Sequence, residues 1–322
     1  MQATLLKRSG YGASFNEILL HANEIEKRPL NAYGVQKLEV EKNVYKVFQE
    51  DVPEFPLAKG FRCSETSVFL HYYKEYLPAW KLYTQLNEDE RKQFLKNIVN
   101  SLEILHKKKY KLVSFKEYSS LLRIEILEKV LQRYAEIQET LDKKPFISVN
   151  GYPCLSFEEC MKRIEINLHL FLQRKKEYAL CYIHGDPQFN NILTNHTGTD
   201  IIFIDPRGYF GTERVYGVAE YDFAKILFAL SGYDVFDDTN NFEVNIVDGN
   251  IELPNFVLDS KYVVLYPEIH FILCSIWLSN AHCFKKNPSK LLISHAYARY
   301  ITTHLLDLNL KNDFSKDFNL LK

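Results

Sequence analysis

Three polar side chains lie along one short stretch of the chain, with a spacing that would let them act together in a catalytic site. Asp186 follows a β-like segment, Asn191 comes five residues later, and Asp205 follows the apolar run 201–204. Residues 195–200 have the composition of a turn. A strand starting directly after Asn191 and the run 201–204 are therefore expected to pair as an antiparallel hairpin. This pairing brings Asp205 beside Asn191, close to Asp186.

These side chains meet the requirements of phosphoryl transfer. The reaction needs a carboxylate that orients an acceptor hydroxyl and takes its proton, and oxygen ligands for the Mg²⁺ that neutralises phosphate charge. We expect Asp186 to be the base and Asn191 and Asp205 to be the metal ligands. His184 is expected to be a structural histidine that hydrogen-bonds the backbone. Each residue alone fits an ordinary turn or loop, whereas the spacing H-G-D-x-x-x-x-N, followed after a strand turn by I-D, is specific.

Two interpretations of residues 9–27 remain open. In one, Ser9, Gly10, Gly12 and Ser14 belong to a turn between two strands, and its backbone N–H groups cradle phosphates. In the other, Ser14 and Glu17 form a capping box, and the apolar residues that follow at helical spacing continue a helix.

The elements that precede the chemical stretch form a mixed segment of about 70 residues. Lys27 lies on a possible strand, as an inward or a surface lysine, and Glu41 lies on a predicted helix. The β-branched and aromatic run 66–73 predicts another strand, and the polar residues 74–78 predict a connector. The expected division is therefore an N-terminal unit of residues 1–73 and a C-terminal unit of residues 74–322.

The C-terminal unit is expected to be mainly helical, with two short hairpins. Asn150-Gly151 and Asp248-Gly249 are turn signals between short strand-like runs. Apolar residues at helical spacing predict helices in the ranges 87–106, 115–142, 156–174, 220–230, 267–284 and 288–307. The range 115–142 is expected to hold one long helix or a pair, and each of the others a single helix.

Composition excludes several classes of protein. The net charge of −1 gives no reason to expect a nucleic-acid or membrane-surface partner, and 46% hydrophobic residues can bury a large core. The six cysteines contain no C-x-x-C pair, which indicates reduced, buried thiols. The sequence shows no signal-peptide pattern and no long apolar run, so a cytoplasmic location is expected.

The motif His184-Gly185-Asp186 with Asn191, followed by Ile204-Asp205, resembles the loop pair of the aminoglycoside phosphotransferase and choline kinase families. These families share the protein-kinase-like fold. The resemblance implies an α+β, two-lobed fold, with a small mixed N-terminal lobe that binds the nucleotide and a larger, mainly helical C-terminal lobe that carries catalysis.

The resemblance also implies roles outside the motif. Lys27 becomes the lysine that holds the nucleotide phosphates, and Glu41 becomes its partner. Leu70 and Tyr72 fall in the hinge whose backbone meets adenine. Asp222 resembles the later aspartate that supports the catalytic loop.

The segment after Asp205 departs from the D-F-G motif of protein kinases, because it reads Asp-Pro-Arg-Gly. Arg207 either binds a phosphate or an anionic acceptor, or forms a salt bridge with a neighbouring acid. Tyr209, in the loop that follows, is expected to shape an acceptor pocket. Asp234, Asp237 and Asp238 either contribute to that pocket or form a solvated acidic loop.

The resemblance predicts a small-molecule kinase that transfers the γ-phosphate of ATP or GTP, with Mg²⁺, to a hydroxyl of a sugar, polyol or amino alcohol. This style of motif also resembles kinases associated with bacterial surface-polysaccharide (capsule) synthesis. Two alternatives remain, a catalytically inactive kinase-like nucleotide-binding module and a kinase acting on protein. The acceptor and the oligomeric state are not readable from the sequence.

Overall fold

The computed structural model describes residues 4–6, 14–239 and 242–306. Its N-terminal part is an antiparallel sheet of five strands in the order β1-β2-β3-β5-β4, packed against one long helix. The elements of this part are β1 (Thr4–Leu6), β2 (Asn16–Leu20), β3 (Glu24–Pro29), α1 (Ala32–Asp51), β4 (Arg62–Cys63) and β5 (Val68–His71).

Strand β2 decides between the two interpretations of the N-terminal residues. It pairs with both β1 and β3, so its backbone hydrogen bonds go to neighbouring strands. Asn16 and Ile18 are buried and Glu17 between them is not, which is the period of a strand. The helix hypothesis is therefore wrong, because sheet pairing over a longer chain distance outweighs the local signal of Ser14 and Glu17.

Helix α1 begins at a side-chain cap and lies close to β2. The Asn31 side chain accepts a hydrogen bond from the Gly34 N–H, as an N-cap residue does. A Cβ atom at Gly34 would lie 2.3 Å from the backbone oxygen of Phe15, so glycine lets the helix approach the chain there. The helix carries Glu41, a buried residue, toward the sheet.

The remaining, larger part is mainly helical. Two short three-stranded sheets lie in it, in the orders β15-β10-β7 and β12-β11-β6. Its strands are β6 (Leu77–Pro78), β7 (Tyr110–Leu112), β8 (Ser148–Val149), β9 (Tyr152–Pro153), β10 (Ala179–Tyr182), β11 (Ile192–Thr194), β12 (Ile201–Phe203), β13 (Tyr209–Phe210), β14 (Glu213–Arg214), β15 (Tyr216–Gly217), β16 (Ile246–Val247) and β17 (Asn250–Ile251).

Helices lie in all six predicted ranges of this part, and the structure adds three short helices, at 79–83, 233–238 and 260–263, that were not predicted. The helices of this part are α2 (Ala79–Tyr83), α3 (Glu88–Lys108), α4 (Phe115–Arg123), α5 (Lys129–Ala135), α6 (Gln138–Asp142), α7 (Phe157–Arg174), α8 (Ala219–Leu230), α9 (Tyr233–Asp238), α10 (Ser260–Val263), α11 (His270–Asn280) and α12 (Pro288–Leu305). The range 115–142 is neither one helix nor a simple pair. A π-helical segment, Ile124–Glu128, joins α4 to α5, and α6 follows after a turn.

The core of the helical part surrounds Trp277 on α11. The Trp277 ring packs against Phe228 of α8 and Tyr297 of α12, each with ring centroids 4.7 Å apart. The two predicted Asn-Gly and Asp-Gly turns are confirmed, and their hairpins join into a four-stranded sheet, β16-β17-β8-β9.

All six cysteines lie in the described ranges and are free, as predicted. Cys160, Cys181 and Cys274 are buried, whereas Cys154 and Cys283 are partly exposed and Cys63 is exposed. Among the residues that the structure describes, no helix combines the length and the apolar character needed to cross a bilayer. The fold is α+β, with a small antiparallel-sheet lobe and a larger, mainly helical lobe, as predicted.

Candidate active site

A short hairpin follows the loop that holds Asp186 and Asn191 together. Strands β11 and β12 pair antiparallel, and the Ile204 N–H donates to the Asn191 carbonyl at 3.0 Å. The Asn191 amide nitrogen donates to the Asp186 backbone oxygen at 3.0 Å and to its Oδ2 at 3.2 Å. The predicted hairpin is confirmed, and it ends with Asp205 on the same side.

Asp222 of α8 holds the loop that carries Asp186. Its carboxylate accepts hydrogen bonds from the backbone N–H groups of His184 at 2.9 Å and Gly185 at 2.7 Å. The His106 Nε2 atom lies 2.9 Å from the same carboxylate. Gly185 has a φ of 80°, a left-handed conformation that favours glycine. Asp222 thus lies beneath the loop, where the resemblance implied.

His184 has the geometry of a structural histidine. Its Nε2–H faces the Ile204 carbonyl at 3.1 Å, and its Nδ1 accepts from the Asp186 N–H at 3.3 Å. Burial lowers the pKa of His184, which favours the neutral ring that these two bonds require.

A second carboxylate, Asp234 of α9, holds the other end of the loop. It accepts from the N–H groups of Phe189 at 3.2 Å and Asn190 at 2.8 Å. Burial raises the pKa of Asp234 to about 7, although these two bonds oppose the rise. Asp234 is buried, and Asp237 and Asp238 lie on the same helix, so the hypothesis of a solvated acidic loop is wrong.

Lys27 of β3 connects the sheet lobe to the β11–β12 hairpin. Its Nζ atom donates to Glu41 Oε2 at 2.6 Å and to Asp205 Oδ1 at 3.0 Å. Lys27 and Glu41 are 6% and 5% exposed, so the pair is screened little by water. The inward interpretation of Lys27 is therefore the one that the structure supports.

Lys225 of α8 is a residue that sequence reasoning missed. Its Nζ atom lies 2.8 Å from Asp186 Oδ1. Burial raises the pKa of Asp186, but the nearby charge of Lys225, together with Arg207 and His184, outweighs burial, so the net pKa lies below the ordinary value. One sequence signal existed, since Lys225 is the single charged residue in the apolar run 223–230.

Arg207 forms the salt bridge of the second interpretation. Its Nη2 atom donates to Glu125 Oε2 at 2.7 Å, and its guanidinium lies 4.1 Å from the centre of the Tyr209 ring. Arg207 nevertheless lines the open cavity. It lies beside the loop that carries Asp186, because its backbone N–H donates to the His184 carbonyl at 2.9 Å.

These groups surround one cavity of about 460 Å³. The predicted site residues that line it are Lys27, Glu41, Asp186, Asn191, Asp205, Arg207 and Tyr209. Ser14, Leu70 and Tyr72 do not line it. Leu70 is buried in the sheet, and the Tyr72 N–H donates to the Asn23 carbonyl. Ser9, Gly10 and Gly12 lie outside the described residues.

The donor set of the cavity suits a hard divalent cation. Within the described ranges, no three His, Cys, Asp or Glu side chains group as a metal site. Asn191 and Asp205 line the cavity and offer an amide oxygen and a carboxylate. The Asn191 amide nitrogen faces Asp186, so its carbonyl oxygen is left to act as a ligand. Amide and carboxylate oxygens are what Mg²⁺ takes when phosphates and water supply its other ligands.

Comparison with known proteins supports the fold. No family model and no curated protein matches the sequence. The gentamicin complex of APH(2″)-IIa, in which APH stands for aminoglycoside phosphotransferase, has a TM-score of 0.52 and 15% identity, over 95% of this chain and 93% of that chain.

Two further solved structures are similar to the same degree. The GDP and kanamycin complex of APH(2″)-IIia has a TM-score of 0.52 and 12% identity, over 95% of this chain and 93% of that chain. A mutant of aminoglycoside 2′-phosphotransferase-IIIa with GDP has a TM-score of 0.52 and 12% identity, over 95% and 91% of the two chains. The chain thus has the two-lobed, kinase-like fold of the aminoglycoside phosphotransferases.

Proposed function

We propose that this protein is a small-molecule kinase that transfers the γ-phosphate of ATP or GTP to a hydroxyl of a sugar, polyol or amino alcohol. One observation carries the proposal. Lys27 comes from the sheet lobe, Asp186 and Asn191 come from one loop, and Asp205 follows β12, and all four line the same cavity. A base, two oxygen ligands and a phosphate-binding lysine are the parts that phosphoryl transfer needs.

In the proposed mechanism, the Asp186 carboxylate orients the acceptor hydroxyl and receives its proton. Lys225 favours the ionised form that can do so, because it lowers the pKa of Asp186. Lys27, held by Glu41, contacts the α- and β-phosphates. Mg²⁺, when bound by Asn191 and Asp205, would neutralise phosphate charge.

The two lobes have separate tasks in this proposal. Residues 1–73 bind the nucleotide, with Lys27 at the phosphates and Leu70 and Tyr72 near the base. Residues 74–322 carry catalysis and the acceptor. A similar protein, APH(2″)-IIia, is described with GDP and kanamycin together, which supports a nucleotide and a small molecule as the two substrates.

The alternatives fit the cavity less well. A catalytically inactive module has no use for a base held at both ends of its loop by Asp222 and Asp234. A kinase acting on protein needs a surface that is open to a peptide. Here the acceptor side is walled by Lys129 and Arg133 of α5 and by Ile276 of α11.

The test uses γ-labelled ATP, Mg²⁺ and a panel of sugars, polyols and amino alcohols. Wild type should transfer label to a small hydroxyl compound and hydrolyse ATP slowly without one. Asp186→Ala should lower both rates by roughly 10²–10⁴-fold, the usual contribution of general-base catalysis, with thermal stabilisation by ATP retained. Asp142→Ala, at an exposed helical aspartate, is the matched control.

Three results would overturn the proposal. Normal turnover in Asp186→Ala would reject the assigned base. Label found on protein and on no small molecule would favour the protein kinase. ATP binding without hydrolysis or transfer in wild type would favour the inactive module.

A further inference from the structure

One side of the cavity carries three cations and a phenol. We call this side the cationic wall; it consists of Lys37, Lys129, Arg207 and the Tyr209 hydroxyl, all of which line the cavity. Lys37 Nζ donates to the Tyr209 hydroxyl at 2.6 Å, and the Arg207 guanidinium stacks over the same ring. Residues from three separate segments therefore meet at one place.

The carboxylate that partners this wall lies behind it. Glu125 is 4% exposed and is not among the residues that line the cavity. Both Arg207 and Lys129 hydrogen-bond to it, and the Tyr221 hydroxyl donates to it at 3.0 Å. Two cations share one carboxylate, while Lys37 is bonded to a phenol. The face toward the cavity consequently has an excess of positive charge.

The rest of the cavity lining near the cationic wall holds charges of both signs. Asp237 and Asp238 line the cavity, and so do Arg133 and Lys225, of which Lys225 contacts Asp186. A polycationic acceptor would bring further positive charge against the cationic wall, which would repel it.

The pKa shifts of Tyr209 and Lys129 agree with an excess of positive charge on the cationic wall. Burial alone would raise the pKa of Tyr209, yet Arg207, Lys37 and Lys129 lower it to about 6. Burial and the nearby Arg207 also lower the pKa of Lys129 to about 8, although Glu125 opposes the shift. Both directions are those expected where positive charge outnumbers negative charge.

We infer that the cationic wall is an anion subsite, and that the acceptor carries a phosphate or carboxylate group in addition to the hydroxyl that is phosphorylated. This inference rests on the proposed function, whose acceptor class it narrows. Lys37 and Lys129 supply hydrogen bonds to the anion. Arg207 supplies charge while it remains bonded to Glu125. The wall adjoins the catalytic loop through Arg207, so one small molecule can reach both the wall and Asp186.

Matched probes test the charge preference by equilibrium binding. Glucose, glucosamine, glucuronate and glucose 6-phosphate share one skeleton, and glycerol and glycerol 3-phosphate share another. Affinities are measured calorimetrically in the presence of Mg²⁺ and ADP, which occupy the nucleotide position. The anionic members should bind at least about tenfold more tightly than the neutral ones, and glucosamine should bind most weakly.

Lysine substitutions locate the subsite. Lys129→Met and Lys37→Met should each lower the affinity for the anionic probes about tenfold, with the neutral probe as internal reference. Lys46→Met, at an exposed position on the same helix as Lys37, is the matched control. If Lys129→Met does not fold, the affinity of Lys37→Met for the anionic probes decides whether the cationic wall binds them.

The outcomes separate this inference from the proposed function. Equal binding of charged and neutral probes, or no binding of any probe, would overturn the anion subsite. Tighter binding of glucosamine together with phosphate transfer to it would do the same and would leave the kinase intact. Anion preference without transfer to any acceptor would keep the subsite and reject the kinase.

Discussion

The Nζ atom of Lys225 lies 2.8 Å from the Oδ1 atom of Asp186, so a helix of the larger lobe supplies a cation directly to the proposed base. Lys225 and Asp222 stand three residues apart on α8, one contacting the base and the other the backbone before it. The same helix therefore sets both the position of the loop and the charge of its carboxylate.

Replacing Lys225 should reduce turnover more than binding. In Lys225→Met, Asp186 loses the cation that favours its ionised form and fixes its orientation. We expect kcat to fall about 10- to 100-fold, less than the roughly 10²–10⁴-fold that general-base catalysis supplies. The KM for the nucleotide should change little. Steady-state kinetics with ATP hydrolysis as the readout measures both.

Two further variants distinguish this role from a structural one. Lys225→Arg keeps the charge and should recover most of kcat. Lys162→Met, at an exposed position on α7, should behave as wild type. If Lys225→Met loses stability while its folded fraction keeps the wild-type kcat, Lys225 only supports the fold.

Glu41→Gln should weaken nucleotide binding. Lys27 would lose the charge of its 2.6 Å partner and keep the ion pair with Asp205, so its ammonium would be held less firmly toward the phosphates. Breaking a buried ion pair costs about 3–5 kcal/mol, and the low end applies because Asp205 remains. We expect a lower free energy of unfolding and at least a tenfold higher Kd for ATP, measured by urea unfolding and by calorimetry.

The control is Glu50→Gln, at an exposed position on the same helix. An unchanged Kd for ATP in Glu41→Gln would reject the role of the Lys27–Glu41 pair.

Asp222→Asn tests the support of the catalytic loop. The two carboxylate oxygens of Asp222 accept from two backbone N–H groups, and an amide can offer only one oxygen. The other N–H would face the amide nitrogen in a fully buried site. We expect a loss of about 3 kcal/mol in the free energy of unfolding, the order of a lost charge-assisted hydrogen bond plus an unsatisfied donor. Urea unfolding measures it, and a loss under about 0.5 kcal/mol, as for an ordinary surface substitution, would contradict it.

The sequence predicted the catalytic hairpin because its information is local. The strand, the turn and the return strand lie within 30 residues of each other, and the residues before and after them carry the polar groups. The N-terminal residues were ambiguous for the opposite reason. Ser14 and Glu17 give a valid local helix signal, and only pairing with β1 and β3 overrides it.

The charged surroundings of the base could not be predicted in the same way. Arg207 and Glu125 are separated by 82 residues, and the loop and the π-helical segment that carry them have no motif in common. Sequence reasoning offered a salt bridge for Arg207 without naming its partner. Lys37 and Lys129 also look like ordinary helical lysines in the sequence, since burial and not spacing distinguishes them.

Tyr209 should titrate far below an ordinary tyrosine. The cations that face it are Lys37 from α1, Lys129 from α5, Arg207 from its own loop and, 6.0 Å from its ring, Arg214 from β14. Burial opposes ionisation, but Arg207, Lys37 and Lys129 lower the pKa of Tyr209 to about 6. The phenol should therefore be mostly ionised at neutral pH and protonated only as the pH falls through about 6.

Ultraviolet difference spectra between wild type and Tyr209→Phe isolate this one phenol from the other tyrosines. The difference should show phenolate absorbance that is lost on acidification near pH 6, and Lys37→Met should move the transition upward because one cation is removed. A bound anionic probe should also move it upward, since the probe competes with the phenolate for the same cations. A phenol that titrates near pH 10 in wild type would show that the cationic wall has no excess of positive charge.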